Sequence, residues 1–228
     1  MDGNASMLSS KENNLDGQNN GEGQDRLSYL PASVLHHILS FLPTKYAVGT
    51  DNAILDVYCS TTTIDRIIKL LGGICNVEDL DLSNRTIDSL FSREDTLAHV
   101  PTFSSLVDLT VTAESGDIDA SNLMSLLHKM PCIEYLSFCA PYTFDNYNDI
   151  IPQCILSHLK FVELNDFFGS ESELRLVKVL LTNGRLLEEI TIRSSVELST
   201  DSNKQLEVTK QLLMMTPRAS VHCAIDFA

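Results

Sequence analysis

Eight residues recur five times along this chain, and their spacing limits its fold more than any other feature. Asn76 to Ser83 reads NVEDLDLS, with apolar side chains at Val77, Leu80 and Leu82. The pattern returns as SLVDLTVT from Ser105, CIEYLSFC from Cys132, HLKFVELN from His158 and LLEEITIR from Leu186. The first anchors, Val77, Leu106, Ile133, Leu159 and Leu187, stand 26–29 residues apart. In each copy the last two apolar residues alternate on one face of a short strand, while the first fixes the turn leading into it. One such unit cannot bury its apolar face, whereas stacked units share a continuous core. Leu136 and Leu164 are therefore expected to be buried between stacked repeats.

Both the period and the L-x-x-L-x-L pattern are those of a leucine-rich repeat, whose period runs roughly 20–29 residues. The expected fold class is α/β: a leucine-rich-repeat solenoid of parallel short strands with outer helices. Four helical segments are expected between the strands. The first carries Ile64, Ile67, Ile68 and Leu71 and is stopped by Gly72-Gly73. Ser121 caps the second, which buries Leu123, Leu126, Leu127 and Met130. Ser170 and Glu173 form a capping box on the third, which Asn183-Gly184 ends. The fourth spans about 204–215, before Pro217. A closing strand is expected over 221–227, residues 141–157 read as a loop, and residues 84–100 stay ambiguous, with a short helix as one option.

Composition bounds the function. The 228 residues are 43% hydrophobic and 21% charged, within the range of folded proteins. A formal net charge of −15 argues against nucleic acid or an anionic membrane as partner and is compatible with a basic protein segment. No apolar run approaches a membrane span, and the first 24 residues show no apolar targeting segment. The six cysteines make no C-x-x-C pair and no four-ligand zinc spacing, so reduced thiols are expected, with a cytoplasmic or nuclear location. Residues 1–24 are rich in Asn, Gly, Ser and acidic residues and read as a disordered leader.

Order is expected from Asp25. Val34, Leu35, Ile38, Leu39 and Leu42 make one apolar stripe on a helix over 31–42. Pro31 suits its first turn and Pro43 ends it. Asp25-Arg26-Leu27-Ser28, Leu30-Pro31, Ile38 to Lys45 and Ala47-Val48 together resemble the start of a plant F-box. The resemblance implies binding to a Skp-family adaptor, with Leu30, Pro31, Leu35, Ile38, Leu39, Leu42 and Pro43 at adaptor-binding or box-core positions. It stops near Thr50. The family continues with a serine- and leucine-bearing helix, an Arg-Trp pair and a further tryptophan, whereas this chain reads Asp51-Asn-Ala-Ile-Leu and holds no tryptophan. The box is thus partial, over 25–50, and its helix is expected to lean on the first repeat beside Ile64 and Ile68.

The last third resembles the FBD domain that ends many plant F-box/leucine-rich-repeat proteins. The marks are His158-Leu159-Lys160 with Val162-Glu163, Gly169-Ser170-Glu171 with Glu173, Leu186 to Glu189 with Thr191-Ile192, and Pro217 to Ser220 with Cys223. The expected organisation is leader 1–24, partial F-box 25–50, repeats 51–157 and an FBD-like repeat and cap over 158–228. The two resemblances imply a substrate receptor of a cullin-RING (SCF-type) ubiquitin ligase. The alternative is an interaction module that no longer engages the adaptor.

No nucleophile elbow, P-loop, zinc-protease or dinucleotide signature is present, so neither enzyme chemistry nor a cofactor is expected. Asp79 and Asp81 share a strand face as paired carboxylates do in hydrolases, but their alternation with Leu80 and Leu82 is what a solvated strand face requires anyway. A surface is the better candidate. If Leu80, Leu82 and their equivalents point inward, the residues between them line a concave face in columns. The first is Asp79, Asp108, Tyr135, Phe161 and Glu189. The second is Asp81, Thr110, Ser137, Glu163 and Thr191, and the third is Ser83, Thr112, Cys139, Asn165 and Arg193. Adjacent aromatics at Tyr135 and Phe161 with a carboxylate rim fit a partner-binding hot spot for a basic segment. Equally open is a cover over them, with 141–157 as the segment to supply it.

Overall fold

The structure is a computed structural model and describes residues 52–55, 64–93, 95–113, 116–145 and 150–227, with the backbone alone at Arg66. The leader, the partial box and its adaptor-facing residues Leu30 to Pro43 lie outside the described residues. So does the expected contact of helix 31–42 with the first repeat.

In chain order the strands are β1 (Asn52–Leu55), β2 (Asp79–Ser83), β3 (Asp108–Thr112), β4 (Ile118–Asp119), β5 (Tyr135–Phe138), β6 (Tyr142–Thr143), β7 (Phe161–Phe167), β8 (Glu189–Ser194) and β9 (Ala224–Phe227). The helices are α1 (Ile64–Gly73), α2 (Asn84–Phe91), α3 (Thr96–His99), α4 (Ala120–Leu126), α5 (Gln153–Ser157), α6 (Glu171–Asn183), α7 (Val196–Thr200) and α8 (Ser202–Met214). The protein is mixed α/β, built on one parallel sheet in the order β1-β2-β3-β5-β7-β8-β9, which is also their order in the chain. A two-stranded parallel ladder, β4-β6, stands apart from it.

The register follows from the octets. Leu80, Leu109, Leu136, Val162 and Ile190 pair across successive strands, as do Leu82, Val111, Phe138, Leu164 and Ile192. Both columns are buried, and so are the anchors Val77, Leu106, Ile133, Leu159 and Leu187. Because side chains alternate across a strand, a shift of one residue would turn either column out of the core. The helices add Ile67, Leu71, Leu123, Leu126, Val177 and Leu180 to the same core.

Local chemistry fixes the helix ends, and several differ from the sequence expectation. The capping box on α6 is present: the Ser170 hydroxyl accepts from the Glu173 N–H at 3.2 Å and the Glu173 carboxylate accepts from the Ser170 N–H at 2.7 Å. α4 is capped by Asp119 rather than Ser121. The Asp119 carboxylate accepts from the Ser121 and Asn122 N–H groups, which leaves Ser121 inside the helix. Asp and Ser cap about equally well, and the end of β4 at Asp119 puts the carboxylate at the cap position. α1 runs on through Gly72 and Gly73 rather than stopping before them. Gly184 does end α6, but with φ −74° rather than a left-handed turn. Its glycine identity reflects crowding, since a Cβ there would sit 2.9 Å from the Leu180 carbonyl oxygen. Residues 84–100 hold two helices, α2 and α3, the first capped by Ser83. Residues 141–157 contain β6 and α5 rather than a plain loop. The fourth expected helix is α8, preceded by the short α7, and the closing strand is β9.

Between β7 and α6 the chain turns sharply. The β7–β8 register shifts between Leu164 and Phe167, with Asp166 at φ 56° and Gly169 at φ 71°. A Cβ on Gly169 would lie 2.5 Å from a Val208 methyl, so this glycine lets α8 close on the turn.

Candidate partner-binding face

The core columns leave the alternate residues of each strand on the opposite face of the sheet. The ladder places Asp79, Asp108, Tyr135, Phe161 and Glu189 in one column and Asp81, Thr110, Ser137, Glu163 and Thr191 in the next. Every partner-face residue singled out from the sequence therefore lies in two adjacent columns of one face. Phe161 keeps 37% of its surface exposed, whereas Tyr135, Asp79, Asp81, Asp108, Glu163 and Glu189 are half-buried. The described part of 141–157 lies with the helices. Tyr142, Phe144, Cys154 and Ile155 are buried in the core, and Arg175 of α6 donates to the Phe144 carbonyl at 3.2 Å.

Two zones divide this face. On β5, β7 and β8 a hydrogen-bonded group centres on Glu163. One carboxylate oxygen accepts from the Tyr135 hydroxyl and the other from the Arg193 guanidinium. Arg193 also donates to Asn165 Oδ1 at 2.9 Å, and Asn165 Nδ2 donates to the Phe138 carbonyl at 3.1 Å. Glu189 accepts from the Thr191 hydroxyl at 3.2 Å. Arg193 and Asn165 were not picked out as site residues in the sequence. Their signal was there, since both stand in the third column of the repeat alignment.

On β2 and β3 the situation differs. Asp79 sits directly opposite Asp108, with Asp81 two residues along, and no Lys or Arg among the described residues pairs with any of the three. Burial, and then the neighbouring Asp79 and Asp81 carboxylates, hold the Asp108 carboxyl above the usual range. Burial and Asp108 likewise push the Tyr135 phenol up, with Arg193 acting against them. A carboxylate with a raised folded-state pKa destabilises the fold above that pKa, and the penalty disappears as pH falls toward the unfolded value. Asp108→Asn is therefore expected to raise the melting temperature at neutral pH and to leave it unchanged in acid. Thermal melts of both proteins across pH check this, and a lower melting temperature at neutral pH would refute it.

No group of His, Cys, Asp and Glu fit to hold a metal ion occurs among the described residues, and no described helix is long and apolar enough to cross a membrane. The face offers apolar contact, hydrogen bonds and negative charge.

The fold and the face define a class: a parallel α/β sheet whose strands follow one another in chain order and present a polar-aromatic surface. Comparison with known proteins narrows it. Residues 148–192 match the FBD family. A protein of Arabidopsis thaliana named among the F-box/FBD/LRR-repeat proteins is 28% identical over 167 residues, covering 69% of this chain and 36% of the relative. A second F-box/FBD/LRR-repeat protein of the same plant is 28% identical over 159 residues, covering 68% and 35%. An F-box/LRR-repeat protein from it is 27% identical over 173 residues, covering 68% and 39%. The chain spans little more than a third of the length of these relatives. No solved structure gives a significant match. The chain is an FBD-bearing relative of the plant F-box/LRR-repeat proteins, in line with the resemblance read from its sequence.

Proposed function

We propose that this protein acts as a substrate receptor of an SCF-type ubiquitin ligase, holding its target on the open face of the sheet and its Skp-family adaptor through residues 25–50. In this reading the sheet is the inner ladder of a leucine-rich-repeat solenoid, and the chain itself carries no catalytic group. The observation that carries it is the open column in which Tyr135 lies directly beside Phe161 on a parallel ladder. Parallel sheets are ordinarily covered on both faces. An aromatic pair left on one face, ringed by carboxylates, is suited to a protein surface rather than to a small molecule. The names of the relatives agree with an F-box role for this family. The absence of the Arg-Trp pair and of every tryptophan favours a second reading, an interaction module independent of the adaptor.

Titrating purified adaptor into this chain, and into a version with the remaining box helices restored, separates the two. Measurable binding is expected, with an affinity well below that of the restored version. No binding at all would remove the ligase role and leave the interaction module, and equal affinities would show that the first box helix suffices.

A further inference from the structure

Resting on the reading that the open face captures protein, we infer that its occupant is an extended segment bearing a lysine or arginine about four residues from an apolar side chain. The cation lies among Asp79, Asp81 and Asp108, and the apolar group lies on Phe161.

The two zones of the face lead to this polarity. Like charges set directly opposite on neighbouring strands destabilise a sheet, and Asp79 opposite Asp108 is such a pair. Asp81 adds a third carboxylate beside them, and none has a cation of this chain to offset it among the described residues. A cation from outside would relieve that repulsion. Glu163 offers no such place, because Arg193 and Tyr135 already occupy its two oxygens. The face is therefore acidic over β2 and β3 and aromatic over β5 and β7, where Phe161 is the exposed large apolar side chain.

Distance sets the spacing. From Asp79 to Phe161 the ladder takes three strand-to-strand steps, through Asp108 and Tyr135. At about 4.8 Å per step this is roughly 14 Å, which an extended chain covers in about four residues at roughly 3.3 Å each. An even number puts both side chains on the same side of the segment, facing the sheet.

The test is an NMR titration of the isotope-labelled chain with three synthetic peptides in a glycine–threonine background. One carries lysine and leucine four residues apart, one carries glutamate in place of the lysine, and one carries the lysine and leucine adjacent. The first is expected to shift the amides of β2, β3 and β7 and to bind tighter than either control. Joint replacement Asp79→Asn, Asp81→Asn and Asp108→Asn should weaken it on the order of tenfold. Equal charge removal off the face, by Asp65→Asn, Glu197→Gln and Glu207→Gln, should change it by less than about twofold at a salt concentration of about 0.15 M. The asparagine variant relieves repulsion, so its folding is not at risk. Equal weakening by the two variants, equal binding of the three peptides, or no binding overturns the inference. If Tyr135→Ala with Phe161→Ala weakens binding while the asparagine variant does not, the face still captures protein and only the cation assignment falls. If neither variant matters, the face reading falls with it.

Discussion

Replacing Leu164 with alanine is expected to destabilise the fold by about 2–5 kcal/mol, a large share of the ~5–15 kcal/mol that holds a typical domain together. Leu164 is 0% exposed and stands in register between Phe138 on β5 and Ile192 on β8, so the substitution empties a space walled by rigid strands. A sheet paired on both sides collapses into such a space poorly, which pushes the cost toward the upper end of the range. Urea unfolding monitored by circular dichroism measures it, with Phe161→Ala on the same strand as the outward-facing control. Equal and small effects at the two positions would mean that the assigned faces of β7 are wrong.

Glu173→Ala should lower stability by about 2 kcal/mol, at the capping-box position that the sequence marks. In the fold it is 2% exposed, and its carboxylate accepts from two backbone N–H groups, Phe168 at 3.1 Å and Ser170 at 2.7 Å. Alanine leaves both donors without that acceptor, in a turn where Phe168 is half-buried and Ser170 is exposed. Loss of a cap costs about 0.5–2 kcal/mol, and the second hydrogen bond to the carboxylate, from the half-buried Phe168 N–H, adds to it. Glu173→Gln keeps one acceptor oxygen and should recover about half of the loss. Thermal melts of the two variants decide this, and a glutamine variant no better than alanine would show that packing rather than the acceptor matters. The FBD match, 148–192, spans this capped turn and its partners.

Much of this was legible because the repeat acts through a short rule. Two alternating apolar residues and one anchor per repeat set the register of β2, β3, β5, β7 and β8, and with it the membership of both open-face columns. The rule says nothing of β1. Among the described strands Asn52–Leu55 pairs with β2 alone, and it carries no anchor at the octet position and lies half-exposed, so its four residues give no periodic signal. α5 was hidden for a different reason: a single turn of helix after Pro152 is too short to show a 3.6-residue period. The cap on α4 was misplaced because Asp119 and Ser121 are both good caps, and only the end of β4 at Asp119 chooses between them. Nor do columns foretell bridges. That Glu163 would be held by Arg193 depends on how a long side chain on β8 lies across the sheet, which neither spacing nor charge fixes.

The order of strands in the sheet has a consequence for how such a chain can change. Among the described strands of the main sheet, each is hydrogen-bonded to the strands before and after it, and the octet positions of β2, β3, β5, β7 and β8 pair in one register. Excising the repeat from β5 to the residue before β7 would set Leu109 against Val162 and Val111 against Leu164, apolar on apolar, and the interior would hardly notice. On the other face the same excision would set Asp108 against Phe161 and Thr110 against Glu163, a new surface altogether. Interior and exterior thus answer to separate demands: the inward positions need only be aliphatic or aromatic, so recognition is free to diversify by gain, loss and exchange of whole repeats.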